Sequence, residues 1–267
     1  MEFRTIVDIP KLGLEIKPCE EILFVGSCFA DAIGQRFRDE GFPVTVNPYG
    51  TMYNPVSILH TVERYEGCPR IVFMTLGTNH VYRLKETGEI VDNCQKRPAA
   101  LFQEEELTVD ECAGYLSQTV NLLKERRPDV QVVMTVSPIR YRKYGYHESQ
   151  LSKATLLLAI HSHLSSLTSH LSYFPSYEIL MDELRDYRFY AADMLHPSEQ
   201  AVDYIWERLV ESCFSAEAKT FLEEWKPLKQ ALAHKPFNAK APEYKELMDK
   251  TMLKISELRK KYTTFAL

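Results

Sequence analysis

"EILFVGSCFADAIG", residues 21–34, is the stretch that decides the fold. Ile22, Leu23, Phe24 and Val25 form an unbroken apolar run, which suits a strand buried on both faces. Phe29, Ile33 and Phe37 then recur at helical spacing, and Gly41 stands where a helix would stop. Ser27 therefore falls at a strand-to-helix turn, and in open α/β sheets ligands bind at such turns. Serine is also a favoured helix N-cap. From this stretch alone, a functional role and a purely capping role both stay open.

Working outward, the same alternation continues. "FPVTVN" at 42–47, "RIVFMTLG" at 70–77, "VQVVMTVSP" at 130–138 and "SYFPSYEIL" at 172–180 read as strands. Helical patterns begin at 54 and 108, run from 151 to 171, and start again at Pro197. Strands alternating with helices of this length predict a parallel sheet covered on both sides. The expected fold is a three-layer α/β/α sandwich with a central parallel sheet and flavodoxin-like strand order. It should span residues 1–214, with 215–267 forming a C-terminal helical extension packed on that core. "VYRLKETGEIVDN" reads as a β-hairpin turning near Thr87-Gly88. It is either a surface excursion or part of the functional edge.

The composition narrows the classes. The formal net charge is −5, from 32 Lys and Arg against 37 Asp and Glu, so no basic field points to nucleic acid. No apolar run approaches a membrane span, and the N-terminus lacks the pattern of a signal peptide. A cytoplasmic protein is the expectation. The six cysteines (19, 28, 68, 94, 112 and 213) show no C-x-x-C pair and read as reduced thiols.

Serine becomes a nucleophile when a base takes its proton and a third group orients that base. "YAADMLHPSEQAVDYIW" offers both: Asp193 and His196, three apart, just ahead of the helix expected from Pro197. A helix N-terminus disfavours the imidazolium, whereas Asp193 favours it and fixes the tautomer. A tetrahedral oxyanion needs donors arranged in advance. Candidates are the backbone N–H groups of Ser27 and of Gly50, in "NPYGTMYNP", and the amide of Asn79, in "TLGTNH".

Gly26-Ser27, Gly50, Gly77-x-Asn79 and Asp193-x-x-His196 resemble the four blocks of SGNH (GDSL-like) hydrolases. "GSCFA" at 26–30 is similar to the signature of the GSCFA family within that group. "NPYGTMYNP", "SPIRY", "QLSKATLLLAI", "YFPSYEI" and "LRDYRFYAADMLHPS" resemble further stretches of the family, so the likeness covers roughly residues 4–255. It implies Ser27 as nucleophile, His196 as base, Asp193 as its orienter, and Gly50 and Asn79 in the oxyanion hole. The sequence departs from the pattern twice. Val25-Gly26-Ser27 has no acid where the usual first block reads Gly-Asp-Ser, and Gln95 stands where many members carry histidine.

Cys28 is six residues before Gly34 and not an arginine, unlike a cysteine phosphatase loop, and is expected to be a buried packing residue. There is no G-x-S-x-G elbow, H-E-x-x-H or P-loop. His161 and His163, two apart on a helix, cannot share a ligand, so neither metal nor cofactor is expected. Arg140, Arg142, Lys143, Arg185 and Arg188 are either contacts for an anionic or polyhydroxylated substrate or solvated surface charge. Tyr49, Tyr53, Tyr82, Tyr144 and Tyr146 are either stacking faces for sugar rings or ordinary half-buried loop tyrosines. The expected activity is ester hydrolysis on a small acyl ester, such as a carbohydrate O-acetyl ester. The alternatives are an O-acyltransferase, or a non-catalytic carbohydrate- or partner-binding protein that keeps the pocket.

Overall fold

A computed structural model describes residues 4–10, 12–92, 97–164, 170–238 and 241–266. The opening stretch forms β1 (Ile22–Gly26), buried throughout, followed by α1 (Cys28–Asp39). β2 (Val44–Val46), β3 (Ile71–Leu76), β7 (Gln131–Val136) and β8 (Leu171–Tyr173) join β1 in a five-stranded parallel sheet ordered β2-β1-β3-β7-β8. That is the expected flavodoxin-like order, and it reverses direction at β1 and β3.

Side chains alternate across each strand, so the sheet builds two cores. Phe24, Phe73 and Val133 point to the layer of α1 and α6 (Glu199–Cys213), where Phe24 stacks on Phe73 at 4.7 Å. Leu23, Val25, Val72, Met74, Val132 and Met134 point to the other layer. That layer holds α2 (Pro55–Arg64), α3 (Val109–Arg126) and α4 (Tyr146–Leu164). The result is a three-layer α/β/α sandwich.

Between β3 and α3 the chain makes a separate antiparallel sheet ordered β5-β4-β6, from β4 (His80–Leu84), β5 (Ile90–Val91) and β6 (Phe102–Glu106). The hairpin turns near Gly88, as expected. The third strand is an addition: its sequence, FQEEE, has no apolar alternation, and its order comes from pairing with β4. Residues 93–96, including Cys94 and Gln95, lie outside the described residues.

Other boundaries differ from expectation for local reasons. The strand expected over 172–180 ends at Tyr173, because Pro175 has no N–H to extend the ladder. The chain turns instead into α5 (Ser176–Glu178) and a π-helical turn, Ile179–Leu184. The helix expected from Pro197 starts at Glu199: Ser198 caps it by accepting from the Ala201 N–H at 3.3 Å, and Pro197 bridges to Tyr190. α4 begins at Tyr146, directly after Gly145, which adopts a positive φ of 80°.

After residue 214, α7 (Ala216–Ala233) and α8 (Pro242–Lys261) join the α1 core through Phe221, Trp225, Leu258, Tyr262 and Phe265. Trp225 Nε1 donates to the Asp39 carbonyl at 3.2 Å. A Cβ on Gly41 would lie 2.0 Å from the Phe265 ring, so this packing needs glycine there. Among the described residues, no helix is long and apolar enough to cross a membrane.

Candidate active site

The turn after β1 is held from three sides. Gly26 has φ +138°, and a Cβ there would sit 2.2 Å from the Thr75 carbonyl oxygen, so only glycine lets β1 close on β3. Its N–H donates to Asn47 Oδ1 at 2.9 Å. Asn47, itself left-handed at φ +42°, passes the contact on through Nδ2 to Asp31 Oδ1 at 2.9 Å. Asparagine tolerates that backbone region better than most residues.

Ser27 follows, completely buried. Its N–H donates to the Thr75 carbonyl at 2.9 Å, and its Oγ shares a hydrogen bond with Thr75 Oγ1 at 3.1 Å. Oγ also accepts from the Phe29 N–H at 3.2 Å, which makes Ser27 the N-cap of α1. The capping role is therefore real, and it occupies the very atom proposed to react.

The second part lies on the loop before α6. One Asp193 oxygen, Oδ1, accepts from the N–H groups of Leu195 (2.8 Å) and His196 (3.0 Å). The other, Oδ2, lies 2.6 Å from His196 Nδ1. Met194 bends the chain between them at φ +60°. The His196 N–H, then the Leu195 N–H and the imidazole, hold the Asp193 carboxyl down to about 2. A carboxylate on Nδ1 fixes the proton there, so Nε2 is the basic nitrogen, and among the described residues it has no partner. The loop is tied down by the Ala191 N–H to the His196 carbonyl (2.8 Å) and the Arg140 N–H to the Leu195 carbonyl (3.0 Å).

The structure thus brings Asp193 and His196 together. It does not bond either to Ser27, whose hydroxyl faces Thr75 while the imidazole is 45% exposed. The candidate oxyanion donors are largely committed. The Ser27 N–H serves Thr75, and the Gly50 N–H closes a turn onto the Asn47 carbonyl at 2.9 Å. Asn79 Nδ2 donates to the Leu107 carbonyl at 2.7 Å; among the described residues its second amide hydrogen is free and its Oδ1 is buried without a partner.

Three residues of this region escaped sequence reasoning: Thr75, Asn47 and Lys153. Lys153 Nζ is fully buried and donates to the carbonyls of Gly77 (2.7 Å) and Ser137 (2.8 Å), at the ends of β3 and β7. Burial pulls the ammonium down to about 7. A lone cation within the apolar pattern "SKATLLLAI" was the available signal. Cys28 is half-buried rather than buried, with Sγ 3.6 Å from Tyr53 Oη, because α1 starts at the open end of the sheet. Among the described residues all five cysteines are free, and no three His, Cys, Asp or Glu side chains are grouped to hold a metal.

The GSCFA family model matches residues 21–69 and 68–209, and the model of the GSCFA domain protein C-terminal domain matches 225–267. No curated protein matches. A solved member of the lipolytic protein G-D-S-L family from Veillonella parvula is 13% identical with a TM-score of 0.47, covering 72% of this chain and 96% of its own. A carbohydrate esterase family 3 protein from Talaromyces cellulolyticus is 11% identical with a TM-score of 0.44, covering 78% and 99%. A family two carbohydrate esterase from Clostridium thermocellum is 12% identical with a TM-score of 0.44, covering 73% and 64%. The family matches span the β1 turn, Thr75, Asn79 and the Asp193–His196 loop together, and the chain belongs to the GSCFA family.

Proposed function

We propose that this protein is a serine ester hydrolase that works through an acyl-enzyme. The observation that carries the reading is the Asp193–His196 pair, with the carboxylate on Nδ1 and Nε2 uncommitted. In this reading Ser27 Oγ attacks the acyl carbonyl and its proton passes to Nε2. The ester C–O bond breaks as His196 returns that proton to the leaving alcohol. Water, deprotonated by Nε2, then releases the acid and restores Ser27.

The chemistry requires the Ser27 hydroxyl to exchange Thr75 for His196. In this reading the hydroxyl gives up both present partners, at the cost of the α1 cap, about 1 kcal/mol, plus the hydroxyl pair, about 1 kcal/mol. Both are small against a reaction barrier. The free amide hydrogen of Asn79 is the oxyanion donor in this scheme, and Gly50 adds its N–H if the turn onto Asn47 opens. Full burial of Ser27 favours a small acyl group such as acetyl.

The closed Ser27 hydroxyl also favours one competitor: a non-catalytic protein that binds ligand in the same place without turnover. Short p-nitrophenyl esters separate the two. Hydrolysis by the wild type that is lost in both Ser27→Ala and His196→Ala supports the hydrolase. Hydrolysis that survives both substitutions, or none in the wild type, removes it.

A further inference from the structure

Arg140 joins the His196 loop to a separate cavity. Its backbone N–H donates to the Leu195 carbonyl, and Nη1 donates to the Met194 carbonyl at 3.1 Å. Its guanidinium lies over the ring of Tyr146 at 4.2 Å from the centroid, with Tyr190 at 5.4 Å and Tyr187 at 5.9 Å. All four side chains line a cavity of about 220 Å³. Tyr190 also bridges to Pro197, so the cavity shares a wall with the Asp193–His196 loop.

The charges here are not balanced. Arg185 pairs with Asp182, and Arg188 pairs with Asp186. Among the described residues Arg140 has no carboxylate partner, and its remaining guanidinium N–H groups have no acceptor. A guanidinium held against aromatic faces is shaped for bidentate recognition of a carboxylate. The faces of Tyr146 and Tyr187, 47% and 67% exposed, offer stacking surface for a ring. Ser149 Oγ accepts from the Tyr141 N–H at 3.2 Å and Gln150 Oε1 accepts from the Tyr177 hydroxyl, so the Ser149 O–H and the Gln150 NH2 are the donors these two residues can offer to hydroxyl groups on that ring. The volume suits one ring rather than a chain.

We infer that this cavity receives the alcohol portion of the substrate, and that this portion is an acidic sugar: a uronate residue whose carboxylate binds Arg140. The inference rests on the hydrolase reading only for where the ester lies. Its test is a binding experiment that needs no turnover. Ser27→Ala protein is titrated calorimetrically with methyl galacturonoside and, separately, with methyl galactoside, which differs in lacking the carboxylate.

The acidic sugar should bind about tenfold more tightly or better, the scale of one charge-assisted pair. The advantage should shrink as salt is raised. Adding Arg140→Gln should abolish it, while adding Tyr187→Ala, an exposed position, should weaken both sugars alike. Equal affinities, no binding of the uronate, or an advantage that persists without Arg140 would each overturn the inference. Loss of the hydrolase reading would show elsewhere, as absent p-nitrophenyl ester hydrolysis by the wild type, and would leave the binding result standing.

Discussion

Replacing Lys153 with methionine tests how the functional end of the sheet is held together. The ammonium sits in a fully buried site and donates to two carbonyls, of Gly77 and Ser137. A neutral amine has two N–H groups, enough for both acceptors without a buried charge, which is why burial draws the group from 10.5 to about 7. Below pH 7 the lysine is protonated in both folded and unfolded chains and contributes no slope. Between 7 and 10.5 the unfolded chain binds more protons than the folded one, so stability rises with pH across that window. Going from about pH 6 to about pH 8.5, the gain works out at about 2 kcal/mol. Lys153→Met keeps the apolar stem and deletes the titration. Urea unfolding of both proteins at the two pH values isolates the effect, because every other group cancels in the difference. The wild-type advantage should grow by about 2 kcal/mol. A difference that stays flat with pH would mean the buried amine keeps its proton, and the argument from burial would fail.

Four further outcomes follow from named contacts. Gly26→Ala should destabilise by about 2 kcal/mol or more, since the new methyl meets the Thr75 carbonyl and φ is +138°; chemical denaturation reads this directly. Asp193, held at about 2, should stay ionised until well below the ordinary 3.8. Its pairing with His196 is then lost only as pH falls towards 2, and carboxyl NMR titration would expose an ordinary value. Burial raises the Cys19 and Cys112 thiols to about 12, so the unfolded chain ionises first and stability should fall as pH rises above 9. Cys112→Ala should flatten that alkaline fall in a pH series of unfolding curves. Trp225→Ala should cost about 3–5 kcal/mol, because the indole packs on Phe265 at 5.0 Å and bonds Asp39; a loss under 1 kcal/mol would separate α7 from the main core.

The residues that could be read from sequence are those whose signal is local. Ile22 to Val25 declare a strand, Phe29, Ile33 and Phe37 a helix, and the join between them must fall near Ser27. Asp193 and His196 sit close enough in the chain for their pairing to be expected from spacing. Thr75 and Lys153 are different: they act through partners 48 and 76 positions away, so nothing local announces Thr75, and the lone cation in "SKATLLLAI" marks Lys153 as unusual without naming its partners. The oxyanion donors lie between these cases. Their residue types were recognisable, but where each N–H points depends on turns such as Asn47–Gly50 that only the folded backbone defines. β6 shows the same limit for structure, since acid-rich FQEEE becomes a strand by pairing with β4.

Reaction of the wild-type protein with a fluorophosphonate, followed by peptide mass spectrometry, addresses the central claim most directly. The account predicts a single adduct on the peptide carrying Ser27, absent in Ser27→Ala and strongly slowed in His196→Ala. No adduct, or one placed on Cys28 or elsewhere and indifferent to His196, would contradict it.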